Sequence, residues 1–180
     1  MSVKITYFTH GITTDNEKHL STGWNPGKLS ELGIEKCKEL KDLTDLGSFD
    51  AVFSSDLKRA VDSAILYFGP DATILQDERL RECNYGELNG ASDDKVVYLD
   101  HISDPFPGGE SLQNVLDRVK DFSDFLSANF DDKHVAIVAH RAPQLAFEVI
   151  CGNEKSLDDA IKNDWRATKA WQPGWEYIVA

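Results

Sequence analysis

Basic residues are scarce in this 180-residue chain: 19 Lys and Arg face 31 Asp and Glu, a formal charge of −12 with His neutral. An acidic average surface repels phosphate backbones and anionic lipid, so neither nucleic acid nor membrane is an expected partner. Net charge describes the far field, however, and a pocket answers to the few groups that line it. Cysteine is sparse too. Cys37, Cys83 and Cys151 lie far apart, which fits neither a disulfide framework nor a thiolate metal site and makes a reducing compartment the simplest setting. No apolar run approaches the roughly 18 residues of a membrane span. The amino end MSVKITYFTHG has an apolar stretch that stops at Phe8 without a small-residue cleavage pattern, so it reads as a strand rather than an export signal and the cytoplasm is the expected location. Repeats and low-complexity tracts are also missing. A chain of this length suits one domain, residues 1–180, that needs no covalent staples.

What is present is an alternation of strand and helix patterns, the signature of an α/β domain. Val3 to Phe8 supplies the first strand. A helix starts near Ser30, with Leu32, Cys37, Leu40 and Leu43 on its apolar stripe and Gly47 as its stop; Gly33 weakens it by propensity. Ala51-Val52-Phe53 is a second strand, followed by an amphipathic helix with Leu57, Ala60, Val61, Ala64, Ile65 and Phe68 at three- and four-residue intervals up to Gly69-Pro70. Residues 84–110 are dense in turn formers and read as a loop-rich segment over one end of a sheet. Leu112, Val115, Leu116, Val119, Phe122 and Leu126 then mark a long helix, and His134 to Ala139 is an apolar central strand. Pro143 suits the first turn of the next helix and Gly152 its end. The tail WQPGWEYIVA reads as a loop and a last strand, and Trp171 and Trp175 do not by themselves identify a binding site.

The chemistry-bearing residues fall at strand ends. His10 follows the first strand directly and precedes Gly11; His140 holds the matching place after Ala139. Either histidine alone is more often a satisfied core residue than a catalytic one. If their strands are parallel neighbours, the two imidazoles share one rim, where one can attack phosphorus while the other holds its oxygens. Arg59, four residues after Ser55 in SSDLKRA, opens the amphipathic helix and is either a surface cation or a planar fork for phosphate oxygens. Glu82 in ERLRECNYGELNG is either an ion-pair partner of Arg79 or Arg81 or, in a phosphate pocket, a proton donor to a leaving oxygen. The histidines have no third ligand at metal-binding spacing, so no metal and no cofactor is expected.

These stretches resemble, in order and over nearly the whole chain, the histidine phosphatase superfamily, which includes cofactor-independent phosphatases and phosphoglycerate mutases. The segments that carry the resemblance are Thr9-His10-Gly11-Ile12-Thr13 with Asn16 downstream, LSELG (29–33), SSDLKRA (54–60), LRECNYGELNG (80–90), PGGES (107–111) and His140. The resemblance implies a three-layer α/β/α sandwich around a mostly parallel sheet. It also implies His10 as the nucleophile that forms a phosphohistidine, Arg59 and His140 as ligands of the phosphoryl oxygens, and Glu82 as acid to the departing alcohol. Thr13 and Asn16 would join the same pocket or its loop.

One position departs from the pattern. Thr9 stands where the family places a phosphate-gripping arginine, and threonine brings a hydroxyl without a charge. Arg141, directly after the second histidine, is the candidate for the missing fork, with a salt bridge to an acidic residue as the alternative. The expected activity is therefore hydrolysis of a small phosphorylated metabolite. The alternatives are mutase-type phosphoryl transfer and a catalytically weakened phosphate-ester binding or regulatory protein. Tyr85, His101, Phe106 and Trp24 are candidates for an organic-ligand wall or for loop packing, and monomer and homodimer are equally open.

Overall fold

The computed structural model describes residues 2–43, 49–169 and 174–180. In chain order its elements are β1 (Val3–Thr9), α1 (Thr14–Glu17), β2 (Leu20–Ser21), α2 (Glu31–Leu43), β3 (Ala51–Ser54), α3 (Lys58–Phe68) and β4 (Ile74–Gln76). They continue with β5 (Ala91–Ser92), α4 (Leu112–Asn129), β6 (His134–Ala139), α5 (Arg141–Ile150), α6 (Leu157–Lys162), α7 (Trp165–Thr168) and β7 (Trp175–Val179). Five strands form one sheet in the order β4-β3-β6-β1-β7, parallel throughout except for β7, which runs antiparallel to β1. The short strands β2 and β5 make a separate antiparallel ribbon.

β6 is apolar almost without interruption because both of its faces are covered. Val135, Ile137 and Ala139 pack into the larger core with residues of α4, α5 and α6, whereas Ala136 and Val138 join a smaller core with Cys37 of α2 and Ala64 and Tyr67 of α3. β1 divides in the same way, Ile5 and Tyr7 to the first side and Phe8 to the second. Helices on both faces of a mostly parallel sheet give the expected three-layer α/β/α sandwich. α4 buries Leu112, Val115, Val119, Phe122 and Leu126 as its periodicity requires, and it begins at a capping box between Ser111 and Asn114. Pro143 stands in the first turn of α5, and Gly152, just past its end, donates its N–H to Phe147 O.

Two helices depart from the apolar stripes read in the sequence. The buried face of α3 is Arg59, Ala60, Ser63, Ala64 and Tyr67, while Ile65 is 40% exposed. The helix is rotated so that two polar residues face inward, toward the end of β1. In α2, Leu32 is exposed and Gly33 is buried. A Cβ at Gly33 would lie 1.9 Å from Ile12 O; the glycine that costs helix propensity is what lets the loop after β1 settle on α2. The stop at Gly47 and the side chain of Trp171 lie outside the described residues.

The loop-rich segment is less open than its turn formers suggest. Tyr85, Tyr98 and Phe106 are buried in the larger core, the two tyrosine hydroxyls lie 2.7 Å apart, and His101 stacks on Phe106 with ring centroids 3.8 Å apart. Trp24 donates its indole N–H to Glu82 O and lies under the Arg81 guanidinium. Tyr85, His101, Phe106 and Trp24 thus pack; they do not line the cavity over the sheet end. The aromatic interior, not a ligand, is what their apolar surface satisfies.

Candidate active site

The topology brings the strand-end residues together. β1 and β6 are paired with Thr9 opposite Ala139, so the next residue of each strand emerges at the same rim. His10 donates its backbone N–H to Ala139 O at 2.9 Å, and the rings of His10 and His140 lie 5.0 Å apart, centroid to centroid. β3, the other neighbour of β6, delivers Ser55, and α3 delivers Arg59.

The protonation pattern of His10 follows from its partners. Its Nδ1 lies 2.7 Å from Gly11 O, an acceptor, so Nδ1 carries the proton. Its Nε2 accepts from Arg59 Nε at 3.3 Å, so the lone pair sits there. Burial and the Arg59 charge, with a smaller contribution from Arg166, push the imidazole pKa down to about 3. A neutral ring of fixed tautomer is the form that can attack an electrophile. Gly11 is locked in turn, its N–H donated to Ser63 Oγ at 2.9 Å, and a Cβ there would lie 2.5 Å from Cys37 Sγ. Arg59 is only 2% exposed and makes no ion pair among the described residues; its terminal nitrogens donate to Gly23 O and Asn25 O. The alternative of a surface cation is thereby excluded.

His140 is fully buried. Tyr7 Oη donates to its carbonyl at 2.6 Å and accepts its N–H at 3.0 Å, pinning the backbone where β6 turns into α5. Ser55 Oγ, which accepts the Leu57 N–H, lies 2.6 Å from His140 Nε2. Nδ1 has no partner. The tautomer in which Ser55 donates to Nε2 puts the proton on Nδ1, a buried donor beside His10. Burial, together with the charge of Arg59 and the neighbouring His10, holds this ring well below its ordinary pKa.

Glu82 reaches the same rim from the loop after β4. Its Oε1 accepts from Cys83 N at 2.9 Å, Ala142 N at 3.0 Å and Tyr98 Oη at 3.3 Å, whereas among the described residues Oε2 accepts only from Arg141 N at 3.2 Å. The carboxylate thus caps the amino end of α5, whose own N-cap residue His140 makes no side-chain cap bond. Arg79 and Arg81 are paired elsewhere, with Asp77, Asp121 and Asp56, so Glu82 is not their ion-pair partner.

A cavity of about 780 Å³ opens over this rim, lined by Thr9, His10, Asn16, Glu82 and Arg141 among the residues singled out in the sequence. Thr13 is not in the lining: it is fully buried as N-cap of α1, its Oγ1 accepting the Asn16 N–H while Asn16 Oδ1 accepts the Thr13 N–H. Arg141 makes the salt bridge that was its alternative, Nε to Asp164 Oδ2 at 2.5 Å, and its guanidinium lies 4.3 Å over the Tyr98 ring. Its position still edges the cavity. Periodicity missed the rest of the wall: Ile12, Cys37, Leu40, Tyr67 and Trp165 form an apolar side, and Arg166 adds a cation. Burial raises the Cys37 thiol pKa, so it lines the cavity as a neutral group. Among the described residues no cluster of three His, Cys, Asp or Glu is arranged to hold a metal ion.

The family model for the histidine phosphatase superfamily (branch 1) matches residues 7–147, the stretch that supplies both histidines, Arg59 and Glu82. The chain belongs to that superfamily. Among histidine phosphatases of known sequence, it is 32% identical to a 2,3-bisphosphoglycerate-dependent phosphoglycerate mutase of Rhizobium meliloti, over 78% of this chain and 75% of the mutase. Among solved structures, the α-ribazole phosphatase of Shigella flexneri superposes with a TM-score of 0.72 at 26% identity, covering 84% of this chain and 80% of that one. A mycobacterial glucosyl-3-phosphoglycerate phosphatase in complex with VO3 gives 0.72 at 25% identity, covering 81% and 80%. The matched region of the family model stops before Asp164, Trp165 and Arg166. Their signal in the sequence is local: an Asp two residues before Arg166, the N-cap position of a short helix.

Proposed function

We propose that this histidine phosphatase hydrolyses the phosphate ester of a small organic molecule through a phosphohistidine at His10. The observation that carries the reading is the pair of bonds on that ring. Nδ1–H is given to Gly11 O and the Nε2 lone pair faces the Arg59 guanidinium. In the first step Nε2 attacks phosphorus, the N–P bond forms, and the bond to the ester oxygen breaks. Glu82 Oε2, the carboxyl oxygen with the fewest partners, supplies the proton to that oxygen. In the second step the same carboxylate takes a proton from water as the water attacks phosphorus, and phosphate leaves with His10 restored. Arg59 and the Nδ1–H of His140 hold the oxygens on which charge develops. Thr9 and Asn16 contact the phosphate, Arg141 the ester side next to Glu82, and Thr13 acts through the loop that it caps.

The cavity volume of about 780 Å³ supports a small-molecule substrate, since such sites span roughly 300–1,000 Å³. Two similar proteins are named as phosphatases of organic phosphates. The mutase reading is favoured by the name of the curated relative, yet it asks the site to retain and turn a more highly charged intermediate with one arginine fewer. Incubation with a panel of phosphate esters in 18O-water separates the readings: hydrolysis puts one 18O into released phosphate, whereas mutase action moves the phosphoryl group without it. Wild-type turnover that survives in His10→Ala would overturn the phosphohistidine.

A further inference from the structure

The end of β1 presents Thr9, a hydroxyl with no charge, so a dianionic phosphoryl transition state gains from another cation in the cavity wall. Among the described residues, three side chains there are cationic, Lys36, Arg141 and Arg166. Lys36 is paired with Glu39 Oε2 at 2.7 Å, and Arg141 is committed through Nε to Asp164 with its guanidinium 4.3 Å over the Tyr98 ring. Arg166 is different: among the described residues its guanidinium enters no ion pair, and only its backbone N–H is fixed, to Asp164 Oδ1 at 3.0 Å. Its charge is nonetheless felt at His10. Asp164 is 3% exposed and uses one oxygen for each arginine, so a single buried carboxylate sets both Arg141 and the start of α7 against the cavity.

We propose that Arg166 supplies from the carboxy-terminal segment the guanidinium contact to the transferred phosphoryl group that Thr9 does not make. Resting on the phosphohistidine reading, the inference moves one phosphate ligand from the strand end to α7. Arg166 is then a catalytic residue and Asp164 the positioning residue behind it. The planar fork can donate to two phosphoryl oxygens from the α7 wall of the cavity.

Binding of orthovanadate and of inorganic phosphate, measured by titration calorimetry, tests this independently of turnover. Arg166→Ala is expected to weaken both by roughly tenfold or more, as suits a lost charge-assisted contact. Lys162→Ala, which removes an equal charge paired with Asp158, is expected to leave both unchanged. The double variant Thr9→Arg with Arg166→Ala is expected to regain affinity. Wild-type-like vanadate binding by Arg166→Ala overturns the inference even where hydrolysis is established, as does an equal loss in Lys162→Ala. Arg166-dependent vanadate binding by a wild type that hydrolyses no ester sustains the anion site and overturns only the hydrolase. A wild type that binds neither anion overturns both.

Discussion

Arg59 Nε donates a hydrogen bond to His10 Nε2 across 3.3 Å, along the lone pair that a nucleophile must keep available. The contact is possible because α3 turns Arg59 and Ser63 inward and Ile65 outward. One helix face thus places a phosphate ligand and, through the Ser63 hydroxyl, holds the Gly11 peptide whose carbonyl fixes the His10 tautomer.

Arg59→Lys should therefore damage chemistry more than fold. A lysine keeps a charge but cannot serve His10, Gly23 O and Asn25 O at once. Turnover of p-nitrophenyl phosphate should fall about 10²–10³-fold, the usual cost of a lost transition-state donor. Freed buried carbonyls should lower stability by about 1–3 kcal/mol in urea unfolding. A lysine variant with wild-type kcat would remove Arg59 from the reaction.

Glu82 has two duties that two substitutions separate. Glu82→Ala removes the cap of α5 and should cost roughly 0.5–2 kcal/mol, whereas Glu82→Gln keeps one carboxamide oxygen for the cap and should cost less. Both lose the proton donor. Rates on alkyl phosphates should drop far more than rates on p-nitrophenyl phosphate, whose leaving group needs little protonation. Equal losses on the two substrates would assign Glu82 to structure alone.

The histidine pair should make the fold acid-sensitive. His10 stays neutral down to about pH 3, and His140 is also held well below its ordinary pKa. In the unfolded chain each binds a proton near pH 6.5. Below that pH the unfolded state holds more protons, so stability is complete above about pH 6.5 and declines as pH falls, by up to about 1.4 kcal/mol per pH unit for each histidine. Urea unfolding at a series of pH values from 7.5 to 4.5 should give His10→Asn a shallower decline than wild type. Superimposable slopes would show that His10 is not buried neutral. The same shift keeps the nucleophile active in acid, so kcat/KM should show no limb near 6.5 from His10.

How far the sequence led depended on the kind of signal. Apolar strands and the α4 stripe were legible because burial repeats at fixed intervals, and the spacing of His10, Arg59, Glu82 and His140 was legible through the family resemblance. Periodicity erred on α3 because it weighs Ile65 as core and Arg59 as surface, and the site reverses both. For Tyr85 and Phe106 the sequence left ligand wall and loop packing open, because a turn-rich stretch hides how deeply its aromatics pack; the structure shows the packing. Arg166 and Asp164 could not be placed from spacing, since only the tertiary fold brings α7 over the end of β1.

Gly33 puts propensity and tertiary contact in direct opposition. An alanine in the first turn of α2 should stabilise an isolated helix by about 1 kcal/mol. In the folded chain its Cβ would meet Ile12 O at 1.9 Å and Ile12 C at 2.8 Å, backbone atoms of the loop between His10 and α1. Unlike the far end of a flexible side chain, that loop cannot give way alone. Ser30 N donates to Ile12 O, Gly11 N is bonded to Ser63, and the Thr13–Asn16 capping box closes the turn. Gly33→Ala is therefore expected to destabilise by roughly 1–3 kcal/mol through overpacking. Because the shift reaches Gly11, it should also lower kcat on p-nitrophenyl phosphate, with a larger effect than Leu32→Ala on the exposed face one residue away. A Gly33→Ala protein with a raised melting temperature and unchanged kcat would show that the loop carrying His10 does not depend on its seat on α2.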